Sequence, residues 1–225
     1  MTDNSQGLPL QRIPHGWSAK DLGDLSGKRF LITGGTSGIG KEAARELARA
    51  GARVTITARS DAKGQHTTKE LSSTRVDYIV MDLNDLESIR KAAREVTEPF
   101  DVLILNAGVM AIPLTKTADD FEMQMGTNHL GHFAFAGLIR EKIRSRVVTV
   151  SSQAHRMGSF ADGSLDSIRD ICLGRTKYNP WGAYGASKLA NLLFTFELER
   201  RARADRKSTR LNSSHVSESR MPSSA

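Results

Sequence analysis

The chain has 225 residues, enough for one sizeable domain, and its 39% hydrophobic and 25% charged content excludes a disordered polymer. A net charge of +7 arises from basic residues scattered among acids, which argues against nucleic-acid binding, and the single cysteine, Cys172, excludes an internal disulfide and fits a reducing, cytoplasmic compartment. No apolar run approaches the ~18 residues of a membrane span, and the opening MTDNSQGLPLQRIP lacks the order of a signal peptide.

Residues 1–25 mix Pro, Gly and polar side chains without period and read as an N-terminal arm. KRFLIT (Lys28 to Thr33) is the first strand, and GKEAARELARAGA places Ala44, Leu47 and Ala48 at helical spacing. RVTITA (Arg53 to Ala58) is the second strand and VDYIVMDL (Val76 to Leu83) the third. DLESIRKAAREV then sets Leu86, Ile89 and Ala93 on one helical face, and FDVLILNAG supplies a fourth strand. Residues 118–142 carry a helical pattern, RVVTVSS from Arg146 is a fifth strand, and AYGASKLANLLFTFELERRA is a periodic helix. This order predicts an α/β fold, a doubly wound parallel sheet of Rossmann type with right-handed crossovers, over residues 26–205. Residues 206–225 are Ser/Arg-rich and are expected to be disordered. Because an open sheet would continue past the last helix, the expectation is a chain truncated near Arg203 to Asp205, lacking its last strands and followed by a non-native tail.

The turn LITGGTSGIG joins the first strand to the first helix, with Gly34, Gly38 and Gly40 flanking Thr36, Ser37 and Ile39. Bare backbone at a helix N-terminus lets N–H groups approach a phosphate, although alone such a turn is equally a tight structural connection. Its TGxxxGxG spacing resembles the short-chain dehydrogenase/reductase family. NAG (Asn106 to Gly108), Asn128 in TNHLGHF, Ser151 and Ser152 in VSS, and YGASK (Tyr184 to Lys188) agree in order. The resemblance runs from about Ser26 to Arg203 and looks most like the branch that includes retinol dehydrogenases.

The second strand ends in Ala58 and Arg59 rather than an acid, which favours the 2′-phosphate of NADP, with NAD possible if Asp61 serves instead. The resemblance implies that Asp82 and Leu83 meet the adenine and that Asn106, Ala107 and Gly108 lie against the cofactor; Asp82 is equally readable as an N-cap. Of the three tyrosines only Tyr184 has a lysine four residues on, which puts both side chains on one helix face. A free phenol titrates near ~10, and the Lys188 ammonium favours its ionised form. Tyr184 is therefore the expected acid/base, with Lys188 also implied to hold the nicotinamide ribose. Ser152, with Ser151 as rival, is expected to hydrogen-bond the reacting oxygen, and Asn128 is implied to support Lys188 through a water.

His129, His132 and His155 do not complete a metal set, so no metal is expected, and MQM (Met123 to Met125) reads as packing. The spacer Gln153 to Ala183, with Phe160, Leu165, Ile168 and Trp181, is expected to wall an apolar pocket for a small-molecule alcohol or carbonyl. The reading is an NADP-preferring oxidoreductase; the alternatives are a non-catalytic nucleotide sensor or an inactive fragment, since the family's substrate loop would lie beyond Asp205. The resemblance also implies a homo-oligomer.

Overall fold

Strands that are apolar at successive positions need cover on both faces, and the computed structural model, which describes residues 15–204 and 212–216, shows how they obtain it. In β1 (Arg29–Ile32), Leu31 and Ile32 are both fully buried and point to opposite sides. Leu31 joins Ile89, Leu103, Leu105 and Phe135 in one core, whereas Ile32 joins Ala44, Ala48, Val54 and Ile56 in the other. The remaining elements are α1 (Gly38–Arg49), β2 (Arg53–Ala58), α2 (Asp61–Leu71), β3 (Val76–Val80), α3 (Leu86–Glu95), β4 (Phe100–Leu105), α4 (Met123–Met125), α5 (Gly131–Leu138), β5 (Ile143–Val150), α6 (Leu165–Cys172), α7 (Pro180–Ala204) and β6 (Asn212–Val216). Every strand pair is parallel, and the sheet order is β3-β2-β1-β4-β5-β6. This is the doubly wound, Rossmann-like α/β fold. Its strand order reverses between β1 and β4, which opens a crevice at their carboxyl ends.

Several elements differ from expectation. Residues 118–142 are not one helix: Lys116 and Glu122 form an antiparallel bridge, and Ala118 N donates to Asn84 O at 2.9 Å. These pairings spend the backbone groups an earlier helix would need, so helix begins only at Met123, and Gly126–Leu130 is a π turn. β5 starts at Ile143 rather than Arg146. Helix α2 buries only Gly64 and Thr67, so it shows no apolar stripe.

Within the segment expected to be disordered, Asn212–Val216 pairs with Arg146 to Val150 in parallel register. The sheet edge at β5 offers unpaired backbone N–H and C=O groups, and backbone pairing needs no apolar side chains. The rest of that segment, and residues 1–14 of the expected arm, lie outside the described residues. Within the arm, Ser18 and Asp21 form a capping box on a 3-10 turn, and Leu25 packs on the α1 side of the sheet. Among the described residues no helix is long and apolar enough to cross a membrane.

Candidate active site

The β1–α1 turn is built against the end of β4. Gly34 has φ +68°, and a Cβ there would stand 2.8 Å from Ala107 Cα, so only glycine lets the two backbones meet. The Thr33 hydroxyl accepts from Asn106 N at 2.9 Å and Ala107 N at 3.1 Å, while Asn106 Nδ2 donates to Thr33 O at 3.0 Å. These bonds lock the turn to the NAG segment. Gly40 packs inside that joint, whereas Ser37, Gly38 and Ile39 are exposed at the start of α1 and Thr36 is half-buried. Ser37, the N-cap residue, makes no side-chain cap bond, and a Cβ on Gly38 would meet nothing within 4 Å. The exposed first turn thus presents backbone N–H groups and a positive dipole end that fit a dinucleotide's pyrophosphate.

A histidine that sequence reading treated only as a rejected metal ligand joins this turn to the next part of the site. His132 Nδ1 lies 3.0 Å from Asn128 O, a carbonyl that can only accept, so Nδ1 carries the proton. Nε2 is then bare and accepts from the Thr33 hydroxyl at 2.8 Å. Burial holds the ring neutral, lowering its pKa to about 3. Among the described residues no group of His, Cys, Asp and Glu is placed to hold a metal.

Asn128, fully buried in the π turn, uses its amide on the strap that follows β4. Its Oδ1 accepts from Val109 N at 2.8 Å, and its Nδ2 donates to Val109 O and Ser187 Oγ, both at 2.9 Å. Four residues earlier, Gln124 Oε1 accepts from the N–H of Ala111, which sits at φ +51°. Tyr178, in the spacer before α7, donates to Ile112 O at 2.9 Å and accepts from Gln124 Nε2. Val109, Ala111 and Ile112 of the strap are thus held by three polar side chains, of which sequence reading found only Asn128. The signal for Gln124 was its i,i+4 spacing from Asn128 in an otherwise apolar stretch.

Helix α7 brings Tyr184 and Lys188 to the end of β5. Lys188 Nζ donates to Val150 O at 3.0 Å and lies 5.7 Å from the centre of the Tyr184 ring. A Cβ on Gly108 would stand 3.0 Å from Asn128 Oδ1 and 3.6 Å from Lys188 Nζ, so both groups converge over this glycine. Burial lowers the Lys188 pKa to about 8, which leaves the ammonium charged at neutral pH. Strand β5 ends at Val150, before both serines. The Ser151 hydroxyl donates to Lys188 O at 2.9 Å, and Ser152 caps the following turn, accepting from Ala154 N at 3.2 Å.

Other expected residues fall around this centre. Arg59 is exposed just after β2, and Leu83 is buried. Asp82 Oδ1 accepts from Asn84 N, but it does not cap α3; Asp85 does, accepting from Glu87 N and Ser88 N. The spacer does line a cavity, but not through Phe160, Leu165, Ile168 or Trp181, the side chains expected. Leu165 is 85% exposed, Phe160 packs on Met125, Ala186 and Ala190, and Trp181 lies edge-on to Tyr184. A cavity of about 250 Å³ is instead lined by Met125, Met157, Ile171, Tyr178 and Ala186, among others.

Comparison with known proteins agrees with this geometry. The model of the family described as short chain dehydrogenase matches residues 28–163. Retinol dehydrogenase 11 of Homo sapiens is 45% identical over 188 residues, covering 79% of this chain but 57% of its own length, so the chain spans under two thirds of that relative. Among solved structures, an uncharacterised protein from Mycobacterium paratuberculosis is 44% identical with TM-score 0.80, covering 89% of this chain and 72% of that one. The Pseudomonas aeruginosa RhlG/NADP active-site complex is 26% identical with TM-score 0.66, covering 88% and 75%. The glycine turn locked to the NAG segment, the matched family model and these relatives together establish that the chain belongs to the short-chain dehydrogenase/reductase family of oxidoreductases, which bind NAD(P).

Proposed function

We propose that the protein is an NADP(H)-dependent oxidoreductase that interconverts an apolar alcohol and its carbonyl compound, with Tyr184 as acid/base. The observation that carries this reading is the buried Lys188 ammonium, 5.7 Å from the Tyr184 ring and next to Gly108. The segment from Thr36 to Gly40 that leads into α1, with Gly34, would hold the pyrophosphate, Arg59 the 2′-phosphate, Asp82 and Leu83 the adenine side, and Asn106 to Gly108 the nicotinamide half. NADPH, when bound there, would supply a hydride to the carbonyl carbon. The Tyr184 hydroxyl delivers the proton to the carbonyl oxygen, and the Ser152 hydroxyl holds that oxygen by a hydrogen bond. A cation beside the phenol oxygen stabilises the negative charge left after the proton departs. Lys188 supplies that cation and holds the nicotinamide ribose, while Asn128 fixes the strap against it. The similar human protein is named for retinol, which supports a bulky apolar substrate; the 26%-identical complex with NADP supports the cofactor. The single cysteine supports a reducing, cytoplasmic setting.

The test is NADPH oxidation against a panel of ketones, with NADPH titrated by fluorescence in parallel. Tyr184→Phe should bind NADPH as wild type does and lose turnover by at least ~100-fold. Undiminished turnover in the variant overturns the acid/base assignment, and NADPH binding without turnover in wild type favours a nucleotide sensor.

A further inference from the structure

An acid two residues beyond Arg59 ought to undermine a preference for a phosphate unless its carboxylate is engaged elsewhere. Asp61 opens α2 behind the N-cap residue Ser60. Its Oδ1 accepts from the Tyr78 hydroxyl at 2.5 Å, and its Oδ2 accepts from Gln65 Nε2 at 2.6 Å. Both carboxylate oxygens are therefore engaged within the protein. Tyr78 reaches Asp61 from β3, where it pairs with Ile56 of β2, by laying its ring across α2 at Gly64. A Cβ on Gly64 would stand 2.2 Å from the Tyr78 ring, so the ring lies directly on the bare helix backbone. A glycine inside a helix is destabilising relative to alanine, and this slot accounts for its presence.

We propose that Tyr78 is a cofactor-specificity residue: it holds the Asp61 carboxylate away from the ribose 2′ position and leaves Arg59 as the charged group offered there. The proposal rests on the NADP reading above. A free carboxylate at the β2–α2 junction accepts from a ribose 2′-hydroxyl and repels a 2′-phosphate. Tyr78 and Gln65 fix the direction of the carboxylate, which keeps its charge but is not free to turn toward a bound ribose, so the clamp selects against NAD without touching the cofactor. The role is one of positioning, exerted through Asp61.

Fluorescence titration of the full chain with NADPH and with NADH reads the ratio of their dissociation constants, independently of turnover. Tyr78→Phe should lower the preference for NADPH by about tenfold, and Gly64→Ala, whose methyl group displaces the ring, should act in the same direction. Adding Asp61→Asn to Tyr78→Phe should restore the wild-type ratio, which a merely structural role for Tyr78 does not predict. If Arg59→Ala abolishes the preference while Tyr78→Phe keeps both its circular dichroism and the wild-type ratio, the clamp is refuted and the NADP reading survives. If wild type shows no preference for NADPH, both are overturned.

Discussion

Acid stability reads the protonation state of His132. In the folded chain burial lowers the ring's pKa from 6.5 to about 3, and unfolding returns it to about 6.5. Between those values the unfolded state binds more protons, so stability is present above the unfolded pKa and is lost as pH falls through the window. Between about pH 7 and pH 5 this single group removes about 2 kcal/mol, at about 1.4 kcal/mol per pH unit once the unfolded ring is mostly protonated. His132→Gln keeps a donor for Asn128 O and an acceptor for the Thr33 hydroxyl but carries no titrating ring. Urea unfolding of both proteins at the two pH values, followed by circular dichroism, should show the variant losing about 2 kcal/mol less than wild type. His129, whose pKa burial also lowers, is present in both and cancels from the comparison. Equal losses in the two proteins refute a buried, neutral His132 bridging the turn and the π segment.

Two further outcomes follow from the same geometry. Because burial lowers the Lys188 pKa from 10.5 to about 8, its charge is present at neutral pH and disappears as pH rises through 8. Ketone reduction by NADPH should decline along that limb, and Lys188→Met should lower kcat by at least ~100-fold and abolish the limb; a variant that retains the limb assigns it to another group. Gly34→Ala combines a φ of +68° with a contact of 2.8 Å to Ala107 Cα. It should cost about 2 kcal/mol in urea unfolding and weaken NADPH binding, and wild-type values for both would show that the turn has room to shift.

The fold was legible wherever side chains report their own environment. Leu31, Ile32, Val54, Ile56, Leu103 and Leu105 are buried, and their apolar runs announce a two-sided sheet. Elements held by backbone or by small residues gave no such report. Helix α2 rests on Gly64 and Thr67 beneath Tyr78, and β6 is NSSHV paired through its main chain to the edge of β5. The helical pattern over 118–142 misled because the Lys116–Glu122 bridge claims the backbone of its first turn.

The candidate site divides along the same line. Tyr184 and Lys188 stand at a fixed helical spacing, so their proximity follows from local geometry alone. Asn128 was identifiable as a site residue, but its partners on the strap were not, because they are the N–H and C=O of Val109, main-chain groups that carry no mark of the side chain there. The same holds for Gln124 on Ala111 and for Tyr178 on Ile112. A strap held by its main chain tolerates change in its own side chains but not in the three side chains that grip it. Its specification therefore resides at positions 124, 128 and 178, distant in sequence from the residues they hold, and that separation keeps the strap out of reach of any reading confined to local pattern.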